Sequence, residues 1–174
     1  MPLQLDDPRW NELRSSYGDT ADVVAWLTEA EQEGEMTEER LGDVINEVQH
    51  QGGTSTAMYA VAGHLISLAQ RAEPETALSL LGAAGVIYAE SERADAVPCP
   101  AFLLAEFKAS APEGARRLAE LLPSAVDFDD FKFGVTGLAG FIGHHRLAQF
   151  LDGLDFYEGQ FHHILLGGPF PPEA

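Results

Sequence analysis

Apolar residues recur along this chain at three- and four-residue intervals, and strict apolar–polar alternation is almost absent. Phe131, Phe133 and Val135 alternate briefly, but glycines surround them. The pattern therefore predicts helices from end to end. Asp7 before Pro8 is an N-cap with proline at the first helical position, and Gly18 is a stop. Asp19 and Thr20 cap a second helix, whose apolar side is Val23, Val24, Trp26, Leu27 and Ala30, and Gly34 ends it. Thr37 caps a third, with Glu38 and Glu39 against the positive end of the helix dipole. Leu41, Val44, Ile45 and Val48 follow at helical spacing.

His50-Gln51-Gly52-Gly53 is a turn. The next helix is expected to start at Thr54 or Ser55 and run to about Arg71. It is apolar nearly all round, which places it in the centre of the molecule. Pro74 opens a fifth helix, over about 75–90, and Asp95 to Pro100 is a linker. Phe102 to Ala109 reads as helix, Ser110-Ala111-Pro112-Glu113 as a restart, and Pro123 as the end of that piece. Asp127 caps a helix over about 128–143, and Arg146 to Leu151 forms a short last one. About nine helices joined by short connections predict an all-α fold, stacked as an α-solenoid or a compact bundle. Residues 1–166 form one helical domain in this scheme, and the Gly/Pro-rich residues 167–174 a flexible tail.

Composition narrows the possible partners. The 174 residues carry 28 acids against 10 Lys and Arg, a formal charge of −18, and 45% are apolar. That supports one buried core, and it disfavours phosphate backbones and anionic lipid as partners. Neither nucleic-acid nor membrane binding is expected. One cysteine, Cys99, suits a reducing compartment, and no signal-like or membrane-spanning run is present. The sequence thus reads as a complete, cytoplasmic small protein.

Each candidate for chemistry has a plainer alternative. His50 and Gln51 at the turn either contact a ligand or satisfy free carbonyls at a helix end. His64, five residues after Tyr59, is either a ligand or base, or a core histidine bonded to backbone. His144-His145 and His162-His163 are adjacent pairs that point about 100° apart on a helix, so no metal site is expected. Cys99 sits between Pro98 and Pro100 with no basic neighbour to activate it. Gly134, Gly137, Gly140 and Gly143 recur every three residues without the Lys and Ser/Thr of a phosphate loop, so close helix approach is the simpler reason for them. No catalytic motif and no cofactor signature is found.

The segment His50-Gln51-Gly52-Gly53-Thr54-Ser55-Thr56-Ala57-Met58-Tyr59-Ala60-Val61-Ala62-Gly63-His64-Leu65 resembles one found in bacterial HEAT-repeat-like proteins of unknown function. Leu5-Asp6-Asp7-Pro8, Trp10, Leu13 and Tyr17-Gly18 match in style. The chain departs from that pattern at Gly63, where proline is usual, and at Gly53, where threonine is. Over about residues 5–90 the resemblance implies HEAT-like helical hairpins in a right-handed α-α superhelix, and a binding role rather than a reaction.

The acids are concentrated. The first fifty residues hold 13 acids and 3 bases, with Glu29, Glu31, Glu33, Glu35, Glu38, Glu39 and Asp43 close together. Such a face either aids solubility or steers a basic protein onto the molecule. The functional expectation is a non-enzymatic protein that binds a basic protein partner. One form is an immunity- or antitoxin-like inhibitor whose carboxylates mimic phosphates. Its binding residues would be His50, Gln51, Tyr59, His64, Glu31, Glu33, Glu35, Glu38, Glu39 and Asp43. The alternatives are a small metal-dependent or hydrolytic enzyme using His50 and His64, and a homo-oligomer with no charged partner.

Overall fold

The structure, a computed structural model, describes residues 2–50 and 53–152. Among these residues it is all-helical, with seven α-helices and two 3-10 turns. The helices are α1 (Ala21–Glu33), α2 (Glu38–Val48), α3 (Met58–Ala69), α4 (Pro74–Ser91), α5 (Ala101–Leu121), α6 (Phe128–Phe141) and α7 (His145–Asp152). Residues 153–174, which include the expected tail and the His162-His163 pair, lie outside the described part.

Several predicted boundaries hold because local chemistry sets them. Thr37 Oγ1 accepts the Arg40 N–H and starts α2. Asp127 Oδ1 accepts the Asp130 N–H and starts α6. Gly34 ends α1 in the left-handed region, at φ 75°.

Three expectations differ. The first predicted helix is only a 3-10 turn, Pro8–Glu12. Asp7 does cap it, accepting the Arg9 N–H, but the chain turns at Leu13 to bury that side chain. The fourth predicted helix starts later, at Met58, because the residues before it are engaged elsewhere. Thr54 Oγ1 accepts the Val97 N–H, and Thr56 Oγ1 accepts the Arg14 N–H. The break expected near Pro112 is also absent, since α5 runs through it. Proline removes one backbone donor and crowds the preceding turn. Anchors on that turn offset this: Ser110 Oγ donates to the Glu106 and Phe107 carbonyls, and Tyr88 Oη donates to the Phe107 carbonyl. The Tyr88 ring also stacks on that of Phe107, with centroids 4.0 Å apart.

As its composition predicts, α3 is buried along almost its whole length. α4 is the hub, packing against α2, α3, α5, α6 and α7. Its closest partner is α6, and glycines set the approach. A Cβ on Gly137 would lie 2.8 Å from the Gly82 backbone. One on Gly85 would strike the Gly137 carbonyl, and one on Gly140 the Gly85 carbonyl. Two glycines of the three-residue series thus let two backbones touch. Of the others, Gly134 makes room for Leu122, and Gly143 takes a positive φ of 80° just after α6.

Candidate functional site

The α1–α2 hairpin concentrates charge. Residues 21–48 hold nine carboxylates against one base, Arg40. Their burial follows from helical spacing: Val23, Leu27 and Ala30 of α1, and Leu41, Val44 and Val48 of α2, face the core. The polar positions between them must then face outward. Glu29, Glu33, Glu35, Glu38, Glu39 and Asp43 are all exposed. Arg40 does not offset this surface from outside, because it is already used within it. Its guanidinium meets Glu29 at 3.1 Å and Glu33 at 2.8 Å, bridging α2 back to α1. The Glu33 hydrogen bond is the main reason its pKa lies above the usual arginine value.

Glu31 is different. It turns inward, and its Oε1 lies 2.9 Å from His64 Nδ1. His64 is only 2% exposed, and its Nε2 lies 2.8 Å from the Leu3 carbonyl. A carbonyl only accepts, so Nε2 carries a proton. His64 therefore bridges α3, α1 and the N-terminal segment, with the Trp10 ring beside it at 6.0 Å. Trp10 Nε1 donates to the Gln4 carbonyl and holds the same segment. Gly63, one of the two departures from the HEAT-like pattern, sits where Pro2 lies against α3; a Cβ there would be 3.4 Å from Pro2. This is the core-histidine arrangement, with both ring nitrogens occupied.

His50 lies in another setting. Its Nδ1 is 2.6 Å from the Tyr17 hydroxyl and 2.9 Å from Asn46 Oδ1, while Asn46 Nδ2 donates to the same hydroxyl at 3.3 Å. With the amide in this orientation, an Nδ1 proton is donated to Asn46 Oδ1, and the Tyr17 hydroxyl accepts from Asn46 Nδ2. Tyr17 is 58% exposed, so the group sits at the surface. His50 and His64 share no partner, and the structure does not bring them into one site. Gln51 lies outside the described residues.

Tyr59 is buried and donates to the Val97 carbonyl at 2.5 Å, fixing the linker before α5. Burial pushes its hydroxyl up to about 12. Burial likewise pushes the Cys99 thiol up to about 11, which leaves it protonated near neutral pH. Among the described residues no group of three or more His, Cys, Asp or Glu is placed to hold a metal ion. No described helix is long and apolar enough to cross a membrane.

Nothing in the sequence marks Asn46 as the partner of His50. Leu41, Val44 and Val48 complete the buried stripe of α2, and Ile45, off that stripe, is left half-buried. Comparison with protein-family profiles, curated proteins and solved structures finds no match to this chain.

Proposed function

We propose that this protein is a non-enzymatic helical protein that binds a basic protein partner through the outer face of α1 and α2. The observation that carries this reading is the uncompensated charge of the hairpin. Its one base is held between Glu29 and Glu33, leaving Glu35, Glu38, Glu39 and Asp43 exposed without a cation on either helix. Solubility alone does not require such concentration, because mixed charges serve it as well. A field of one sign speeds encounter with an oppositely charged partner and rejects acidic ones. An immunity- or antitoxin-like inhibitor is the specific form we favour, with the carboxylates occupying a nuclease's phosphate subsites.

The HEAT-like reading belongs to the same proposal. The α1–α2 and α3–α4 hairpins support it, whereas the five helical neighbours of α4 make the second half more bundle-like than a simple repeat stack.

The test is affinity capture from host lysate at low and high salt, followed by reconstitution of the captured pair. A basic protein should bind at low salt and be shed at high salt. A variant with Glu35, Glu38, Glu39 and Asp43 all changed to the corresponding amides should lose most of the association rate. Equal rates for the two forms, or no dependence on salt, would overturn the proposal.

A further inference from the structure

Beside the acidic face lies a groove between α2, α4 and α6. It consists of two cavities of about 320 Å³ each, which meet at Glu38, Leu41 and Ser79. One end is acidic, with Glu35, Glu38 and Glu75 around it. The other is apolar, with Leu41, Ile45, Ala83, Val86 and Phe133. The packing already described shapes this apolar end. Gly82 has no side chain, so the Phe133 ring settles against α4, where a Cβ would be 2.6 Å from it. Ile45 and Val86 are left half-buried rather than covered. Gln49 also lines this end, and its Nε2 is shielded from solvent with no hydrogen-bond partner among the described residues. An amide donor in that position calls for an acceptor.

We propose that this groove is the docking site for an amphipathic segment of the basic partner, a helix or strand that carries Lys or Arg beside aliphatic or aromatic side chains. The inference rests on the proposed function and adds to it the element that binds. Charge complementarity selects the occupant. A cationic side chain meets Glu35, Glu38 and Glu75, while its apolar neighbours cover Leu41, Ile45, Val86 and Phe133. A purely polar basic chain would leave the apolar end uncovered, and an acidic amphipathic one would be repelled at the mouth. Once the Gln49 side chain turns outward, a backbone carbonyl of the segment accepts from its amide. The acidic face steers, and the groove retains.

The test uses the isotope-labelled full chain and three synthetic peptides. One is a Leu/Lys amphipathic helix, the second a Ser/Lys peptide of equal charge, and the third a Leu/Glu helix. The Leu/Lys peptide should bind at least about tenfold more tightly than the other two. It should shift the amide resonances of Leu41, Ile45, Ala83 and Val86. Val86→Lys should weaken it about tenfold, with the fold checked by circular dichroism. The wild-type resonance map stands as an independent readout if that variant does not fold. If the Leu/Lys and Ser/Lys peptides bind equally and shift only Glu29, Glu33, Glu39 and Asp43, the groove inference fails while the acidic-face reading survives. If no basic peptide binds at low salt, both fail.

Discussion

The α4–α6 crossing and the α1–α2 hairpin are both pairs of helices, yet opposite kinds of residue set them. In the first, side chains are missing. Gly82 and Gly85 of α4 meet Gly137 and Gly140 of α6 backbone to backbone. In the second, side chains are abundant and of one sign, and the only base of the two helices, Arg40, ties them together. A glycine in a helix interior costs about 1 kcal/mol relative to alanine. The crossing offsets that through the dispersion contacts of two closely packed backbones, which a Cβ would forbid. The hairpin carries a different cost, self-repulsion among exposed carboxylates, which nothing in its own packing requires. One region is shaped by the need to pack, and the other keeps a surface charge that packing does not explain.

The strongest way to break this contrast is Gly85→Ala. Its new Cβ would strike the Gly137 carbonyl, and neither backbone can yield without separating the helices. A loss of about 3 kcal/mol is expected in urea unfolding, typical of severe overpacking. A loss below about 1 kcal/mol would show that the two helices slide apart easily.

The two histidines sharpen it next. His64→Leu leaves the Leu3 carbonyl and the Glu31 carboxylate without their partner, so a loss of about 2–3 kcal/mol is expected. His50→Ala removes only surface contacts with Tyr17 and Asn46, and should cost less than about 1 kcal/mol. Thermal unfolding of the two variants side by side checks the order. Equal losses would mean that His50 is more than a surface group.

A third expectation concerns alkaline pH. Burial raises Tyr59 and Tyr88 from the ordinary tyrosine value of 10.0 to about 12. In the unfolded chain both hydroxyls lose their protons first. The stability they contribute is therefore complete below pH 10 and is lost as pH rises toward 12. Each ring should contribute a fall on the order of 2 kcal/mol across that window, and Tyr88→Phe should roughly halve the total. Stability of the wild type that holds level from pH 10 to 12 would contradict the buried placement of both rings.

Much of this was legible in the sequence. Thr37, Asp127 and Gly34 mark helix ends by chemistry that acts within one turn, so their roles follow from local sequence. The all-round apolar face of α3 placed it in the core. The glycine series suggested a close approach, although its partner, Gly82 and Gly85 on α4, was not visible because the pairing is made only by the tertiary fold. Long-range bonds hid other features. Thr54 looks like a cap, but the fold uses it to hold a distant segment at Val97, as Thr56 holds one at Arg14. Pro112 looks like a stop, but bonds from Ser110 and Tyr88 to the preceding turn stabilise the helix around it. In the candidate site, the acidic surface could be read from composition. The inward turn of Glu31 could not, because it depends on His64, 33 residues away in sequence.

The smallest expected effect tests the other side of the contrast. Gly42 lies inside α2 on the exposed face, and a Cβ there would meet nothing within 4 Å among the described residues. Its backbone is helical and needs no glycine, so Gly42→Ala should stabilise the protein by about 0.5–1 kcal/mol. The same substitution at Gly85 should do the reverse, although both glycines lie in helix interiors. Chemical denaturation of both variants, read against wild type, measures the difference directly. Helix propensity is alike at the two positions, so a change of sign between them isolates the contribution of the α4–α6 contact. A loss at Gly42 as well would mean that the outer face of α2 is itself covered, and that the hairpin is less open than its charge pattern implies.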